Sequence, residues 1–207
     1  MITGSRHVPG KRAFDVAVSA AAIVLLLPVL VVIAVAIRLD SPGPVLFRQQ
    51  RVSRGGGLFR LLKFRTMVVD AERLAPNVSA SGDPRVTRVG RFLRRSYLDE
   101  LPQLFNVLRG DMSLVGPRPE TPEFVALFTP DERRVLTVQP GLAGPSTLAF
   151  MDEDELLAAA DDPVAFYRTR LLHDRVQADL TYLERGSIGY DIRLLCSQVL
   201  AILRRFP

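Results

Sequence analysis

Between Val16 and Ile37 the chain runs for 22 residues without a charge: VAVSAAAIVLLLPVLVVIAVAI. As a straight helix the run measures roughly 33 Å at about 1.5 Å per residue. That is enough to cross a bilayer core of about 30 Å. It is too long for the h-region of a signal peptide, and no small-x-small site closes it before Arg38 and Asp40, so it reads as retained. A buried helix of a soluble core is disfavoured because the run is apolar on every face. Pro28 sits near its middle. The ring removes one N–H and collides with the carbonyl of Val24, so a kink or break is expected there. Arg6, Lys11 and Arg12 precede the run, and Arg38, Arg48, Arg51 and Arg54 follow it. The positive-inside rule disfavours exporting either cluster. Two uses stay open: a kinked spanning helix, and a helix–break–helix hairpin that enters and leaves through one face.

Charge is divided unevenly along the chain. Residues 1–110 carry 17 Lys/Arg against 7 Asp/Glu, and residues 111–207 carry 10 against 15. The basic half is suited to an anionic partner: a membrane surface, phosphorylated substrates or nucleic acid. With no Trp among the 207 residues, nothing supports a base-stacking surface. The single cysteine, Cys196, excludes an internal disulfide. With only His7 and His173 beside it, a His/Cys zinc cluster is excluded as well. A metal here would be a hard ion on carboxylate oxygens.

After the turn SPGP (41–44), VLFRQQRV (45–52) and LFRLLKFRTM (58–67) read as two strands joined by the glycine-rich loop 53–57. No GK[ST] follows, so the loop is a turn rather than a phosphate loop. Residues 76–84 are loop. Residues 87–95 read as a basic amphipathic helix for a membrane surface or an anionic site. Next, Leu101, Leu104, Phe105 and Leu108 fall at helical spacing, with Pro102 in the first turn and Gly110 as the stop. Asp99 and Glu100 are thus expected at the start of a helix, where a plain capping role also explains them. The acidic runs 152–155 and 161–162 read as helix starts rather than metal sites. Residues 191–206 read as an amphipathic helix with Ile192, Leu195, Val199 and Ile202 in one stripe and Cys196 packed inside it.

These segments stand in one order: KRAFDV opening a hydrophobic run with a central proline, then DSPGPVLFRQQRV, LLKFRTM, LDELPQLFNVLRGDMSLVGPRPE and QPGLAGPSTL. Over residues 11–148 the chain resembles the bacterial sugar transferase family, the monotopic phosphoglycosyl transferases. The resemblance implies transfer of a sugar-1-phosphate from a UDP-sugar to a polyprenol phosphate such as undecaprenyl phosphate. UMP leaves, and the reaction opens assembly of O-antigen, capsule, exopolysaccharide or glycoprotein glycan. It implies a catalytic dyad at Asp99 and Glu100. Asp99 would be the nucleophile and Glu100 would help hold Mg²⁺, with Mn²⁺ as an alternative. It places substrate phosphate binding at Arg94 and at Pro117, Arg118 and Pro119, and a membrane break at Pro28. It also implies a re-entrant hairpin in the bacterial inner membrane, with the site on the cytoplasmic face and no nucleic acid as partner; a homodimer is compatible with it.

The physics is consistent with those roles. A carboxylate attacking a diphosphate needs cations to offset repulsion, and arginine grips phosphate through two donors. The expected architecture is α+β and mostly helical: a membrane anchor over 1–40, then a catalytic domain over 41–207 with a small β-hairpin and interfacial amphipathic helices. Two departures from the family pattern stand out. Leu27 occupies a position where the family often has Ser, and PGLAGPSTL replaces PGITGLAQV, so no donor sugar is implied. The chain resembles the small members without a multi-helix extension. The rival readings are a membrane-attached binding module, in which Asp99–Glu100 is only a cap, and an aspartyl phosphatase, which lacks a DxDx[TV]-like motif.

Overall fold

The computed structural model describes residues 9–71 and 78–205. The flanking Arg6, the first two residues of the 76–84 loop and Phe206 lie outside the described residues. Helix α1 (Lys11–Asp40) takes in the whole apolar run, with Pro28 inside it. The break expected at Pro28 is therefore not the end of one helix and the start of another. Asp15, Ser19, Leu30, Ile33 and Ile37 are buried, and Ala22, Ile23 and Leu26 partly so, at three- to four-residue steps on both sides of the proline. That stripe keeps both halves in one helical phase. Phe14, Ala22 and Ile23 pack against the cluster that contains Leu104, Val107 and Leu114. Leu30, Ile33 and Ile37 pack with Phe64 and Leu93. Pro28 and the opposite face, including Val24, Leu25, Val32 and Leu39, are exposed. α1 is long and apolar enough to cross a membrane by length and composition.

Strands β1 (Leu46–Val52) and β2 (Leu58–Phe64) form the expected antiparallel hairpin, with Leu46 opposite Phe64 and Val52 opposite Leu58. Gly55 and Gly56 take φ of 72° and 84° in its turn, a region that disfavours side chains. Arg65 ties the hairpin to the end of α1. Its guanidinium donates to the carbonyls of Ser41, Pro42 and Pro44 at 2.9, 2.7 and 2.6 Å.

Helix α2 (Arg88–Ser96) is the predicted basic helix, capped by the Thr87 hydroxyl on the Gly90 N–H. It ends at Tyr97, whose φ is 57°. Contrary to the expectation of a helix start, Asp99 and Glu100 do not open the α-helix. They lie in a single 3₁₀ turn, Leu98–Glu100, ahead of Pro102 and helix α3 (Gln103–Arg109). The Pro102 ring conflicts with the carbonyl four residues back, so the α-helix cannot extend backwards through the pair. Gly110, at φ 92°, stops α3 as predicted.

Beyond α3 lies a feature the sequence did not suggest. Strands β3 (Ser113–Val115) and β4 (Gly141–Ala143) pair in parallel. A Cβ on Gly141 would lie 2.0 Å from the Gly116 nitrogen, so only glycine allows this approach. The short helices α4 (Pro122–Val125), α5 (Pro145–Ala149), α6 (Glu153–Ala158) and α7 (Pro163–Phe166) follow, and then one π turn at Tyr167–Leu171. The Asp162 carboxylate caps α7, as read from the sequence. Helix α8 (Leu172–Arg185) packs Leu172, Val176 and Leu180 with Phe124, Phe128 and Leu157.

The final helix, α9 (Ile188–Leu203), is turned from the expectation: of the predicted stripe only Leu195 and Ile202 stay half-buried, Leu195 packing against the core that holds Leu194. Asp191, Leu194 and Gln198 are buried, whereas Ile192, Val199 and Cys196 are exposed. Asp191 decides the rotation, because its carboxylate accepts from Lys11 Nζ at 2.5 Å and from the Tyr182 hydroxyl at 2.8 Å. A buried carboxylate has to be paired, and that outweighs the burial of Ile192.

Candidate active site

The 3₁₀ turn holds Asp99 and Glu100 side by side, 6 % and 5 % exposed, in the wall of a cavity of about 830 Å³. Two cations converge on Glu100. Lys63, on β2, donates to Oε1 at 2.7 Å. The Arg118 guanidinium approaches both carboxylate oxygens, Nη2 to Oε1 at 2.8 Å and Nη1 to Oε2 at 3.4 Å. Asp99 is less engaged: its Oδ2 lies 3.8 Å from Lys63 Nζ.

The neighbours consequently titrate in opposite directions. Burial pushes the Asp99 carboxyl up to about 6, with Lys63 opposing and the Glu100 charge adding to the rise. Burial also works to raise Glu100, but Arg118 and Lys63 overcome it and hold the carboxyl far below the usual range. Glu100 in turn outweighs the burial of Arg118 and fixes its charge. One carboxylate is locked as an ion, and the other is a buried, lightly held nucleophile candidate.

The other sequence-derived residues divide. Arg94 lines the cavity, donates to the Ser79 hydroxyl at 2.8 Å and lies 3.9 Å from Asp154. Its charge lowers the Asp99 carboxyl, so it belongs to the same field. Pro117 and Pro119 have no side-chain donor, and their carbonyls hold the backbone instead. Pro117 accepts from the Gly141 N–H at 2.8 Å, and Pro119 accepts from Arg51 at 3.1 Å. Pro28 lies in α1, away from the cavity lining.

Several residues of the site were missed. Lys63 lies inside LLKFRTM, where a lone lysine in an apolar strand was the available signal. Asp179, on α8, was missed because a single charge in a helix carries no signal of its own. It is 3 % exposed and accepts from the Arg118 N–H, the Ser146 N–H and the Ser146 hydroxyl at 2.8, 2.9 and 2.7 Å. It thereby fixes the loop that carries Arg118 to α5. Glu120 is ringed by Arg51, Tyr167 and Arg175 at 3.3, 3.1 and 3.3 Å, a second buried network on the cavity wall.

Among the described residues no group of three or more His, Cys, Asp or Glu could cage a metal. The acidic run 152–155, which opens α6, is used otherwise: Glu153 pairs with Arg175 at 2.9 Å, and Asp152 pairs with Arg205. A hard ion of the magnesium type needs no cage. One or two carboxylates suffice, with water and substrate phosphate completing the shell. Glu100, the carboxylate expected to help hold such an ion, lines the cavity beside Asp99.

A family model described as bacterial sugar transferase matches residues 6–205. A UDP-N-acetylgalactosamine-undecaprenyl-phosphate N-acetylgalactosaminephosphotransferase of Aeromonas hydrophila is 38% identical over 95% of this chain, a match covering 44% of that protein. A UDP-glucose:undecaprenyl-phosphate glucose-1-phosphate transferase of Caulobacter vibrioides is 39% identical over 93% of the chain and 69% of its own length. The exopolysaccharide production protein PSS of Rhizobium leguminosarum bv. phaseoli is 38% identical, covering 94% of the chain and 96% of the relative. The chain thus spans less than half of the first relative, about two thirds of the second and nearly all of the third. With the match covering almost every residue, including the Asp99–Glu100 turn and α1, the chain belongs to the bacterial sugar transferase family.

Proposed function

We propose that this chain transfers a sugar-1-phosphate from a UDP-sugar to a polyprenol phosphate, with Asp99 as covalent nucleophile. The observation that carries the reading is the buried Asp99 beside a Glu100 locked between Lys63 and Arg118, in one large cavity. An ionised Asp99 oxygen attacks the sugar-linked phosphorus of the donor. The new O–P bond forms as the bridging P–O bond breaks, and its electron pair leaves with UMP. An oxygen of the polyprenol phosphate then attacks the same phosphorus and displaces the Asp99 carboxylate. The polyprenol diphosphate sugar departs, and the enzyme is regenerated.

Lys63, Arg118 and Arg94 supply the positive field that lets a carboxylate approach a diphosphate. Burial strengthens that field, because little water screens it. Glu100 would help hold Mg²⁺ or Mn²⁺ beside the Asp99 nucleophile. When bound, the ion neutralises charge developing on the phosphate oxygens. The apolar α1 suits a lipid acceptor. In this reading α1 lies in the bacterial inner membrane as a re-entrant element bent at Pro28, residues 41–207 forming the catalytic domain on the cytoplasmic face, and the reaction is the first membrane step of a glycan pathway.

The test is intact-protein mass after incubation with a panel of UDP-sugars and Mg²⁺, without lipid. A sugar-phosphate adduct mapped to Asp99, discharged by polyprenol phosphate, supports the reading. Adduct on Glu100 overturns the assignment of the nucleophile. Absence of both adduct and UMP with every donor leaves the binding-module reading in its place.

A further inference from the structure

Asn106 is fully buried in α3, and its side chain does not serve its own helix. The amide spans the free edge of β2. Its Oδ1 accepts from the Leu62 N–H at 2.9 Å, and its Nδ2 donates to the Arg60 carbonyl at 2.8 Å. This is the pairing that a third strand would offer, supplied by one side chain. Nδ2 also donates to Asp111 at 3.1 Å. The backbone carbonyl of Asn106 accepts from the Gly110 and Asp111 N–H groups, which closes α3.

The two elements joined by this amide carry the two sides of the ion pair in the site. Lys63 follows Leu62 directly, and its Nζ reaches Glu100 at 2.7 Å. Only Leu101 and Pro102 separate Glu100 from the start of α3. The distance between β2 and α3 therefore sets where Lys63 meets the carboxylate pair, and Asn106 is the polar tie that holds it. We propose that Asn106 is a positioning residue for the transfer reaction, clamping β2 to α3 so that Lys63 is held against Glu100 and Asp99.

The inference deepens the proposed function, and one arm of its test is independent of that reading. The chain contains only two lysines, Lys11 and Lys63. Lys11 pairs with Asp191 of α9, outside the cavity, and serves as an internal reference. Acetylation by a lysine-acylating reagent, read by peptide mass spectrometry, gives the Lys63/Lys11 ratio. Asn106→Ala is expected to raise it several-fold, and Asn106→Asp, which keeps the acceptor for Leu62 but loses the donor to Arg60, by less. An unchanged ratio in folded protein of both variants overturns the proposal.

The second arm is the rate of adduct formation per folded molecule. Asn106→Ala is expected to lower the maximal rate about a hundredfold with donor KM changed less than threefold, at the scale of a misplaced catalytic group. Lys63→Met is expected to lose as much, and the double variant no more than Lys63→Met alone. Multiplied losses, or an undiminished rate per folded molecule, would show that Asn106 only stabilises the fold. Should Asn106→Ala fail to fold, Asn106→Asp carries both arms. A wild-type protein that forms no adduct counts against the proposed function, while the labelling ratio still decides the clamp.

Discussion

Asp99 and Glu100 occupy one turn, yet their contributions to stability have opposite signs. The Asp99 carboxyl is raised to about 6 by burial. Its folded form therefore holds a proton more tightly than the unfolded chain does. Stability present below the ordinary carboxylate range is lost as pH rises through about 6, and at neutral pH the ionised group is a burden. Asp99→Asn should abolish turnover and raise unfolding stability at pH 7 by about 1–3 kcal/mol, measured by urea denaturation. Glu100 is the reverse case, since its carboxyl is lowered by Arg118 and Lys63 against the pull of burial. Glu100→Gln leaves those two cations without their carboxylate and should cost about 3 kcal/mol or more. A destabilised Asp99→Asn would show that burial does not raise the Asp99 carboxyl. The same titration bears on rate: as a nucleophile, Asp99 must be ionised, so adduct formation should climb with pH across about 6 and level off above 7. Arg118 presents its fork to both Glu100 oxygens. An ammonium cannot reproduce that two-donor geometry, so Arg118→Lys should lower kcat/KM by about a hundredfold with little change in midpoint.

At the level of elements, the site depends on close approaches that only glycine permits. α2 rests on the exit of β2 at Gly90, where a Cβ would lie 2.0 Å from the Thr66 carbonyl oxygen. α2 also inserts Leu93 against α1 and carries Arg94 to the cavity. Gly90→Ala should displace α2, destabilise the fold by about 1–3 kcal/mol as other overpacked sites do, and weaken the donor site through Arg94. A variant with wild-type unfolding midpoint and donor KM would refute this packing role. Thr87→Ala removes only the helix cap, and its expected loss is smaller, about 1 kcal/mol. The difference between the two separates steric contact from capping on one helix.

For the whole molecule the question is how α1 meets the bilayer. Its buried stripe runs along its length, and both ends are bound to the rest of the chain. Arg12 donates to the carbonyls of Val107 and Leu108 at 2.5 and 2.8 Å, and at the other end the Asp40 carboxylate accepts from the Val89 N–H at 3.0 Å. A helix leaving the body to span a membrane would lose one of these ends. The expectation is that both stay on the cytoplasmic side. In a Cys196→Ser background, Ala13→Cys and Arg54→Cys should both resist an impermeant thiol reagent in intact cells and label after permeabilisation. Labelling of either one from outside establishes a spanning helix instead.

Sequence alone determined whatever is written in local pattern. The uncharged run, the hairpin around three glycines, the basic helix over 87–95 and the stop at Gly110 are each encoded within a few residues, because period, dihedral preference and capping are short-range properties. The order of motifs was equally legible and carried the family and the Asp99–Glu100 pair. Tertiary structure decided the rest. Lys63 and Arg118 meet Glu100 from opposite directions along the chain, Asp179 reaches back to the Arg118 loop, and Asp191 rotates α9 against its apolar stripe. Such pairings have no periodic signature. They are settled when folding removes water from a charge and a distant partner must replace it. The Asp99–Glu100 pair could thus be read from the sequence, while the field that sets the charge of each carboxyl exists only in the folded chain.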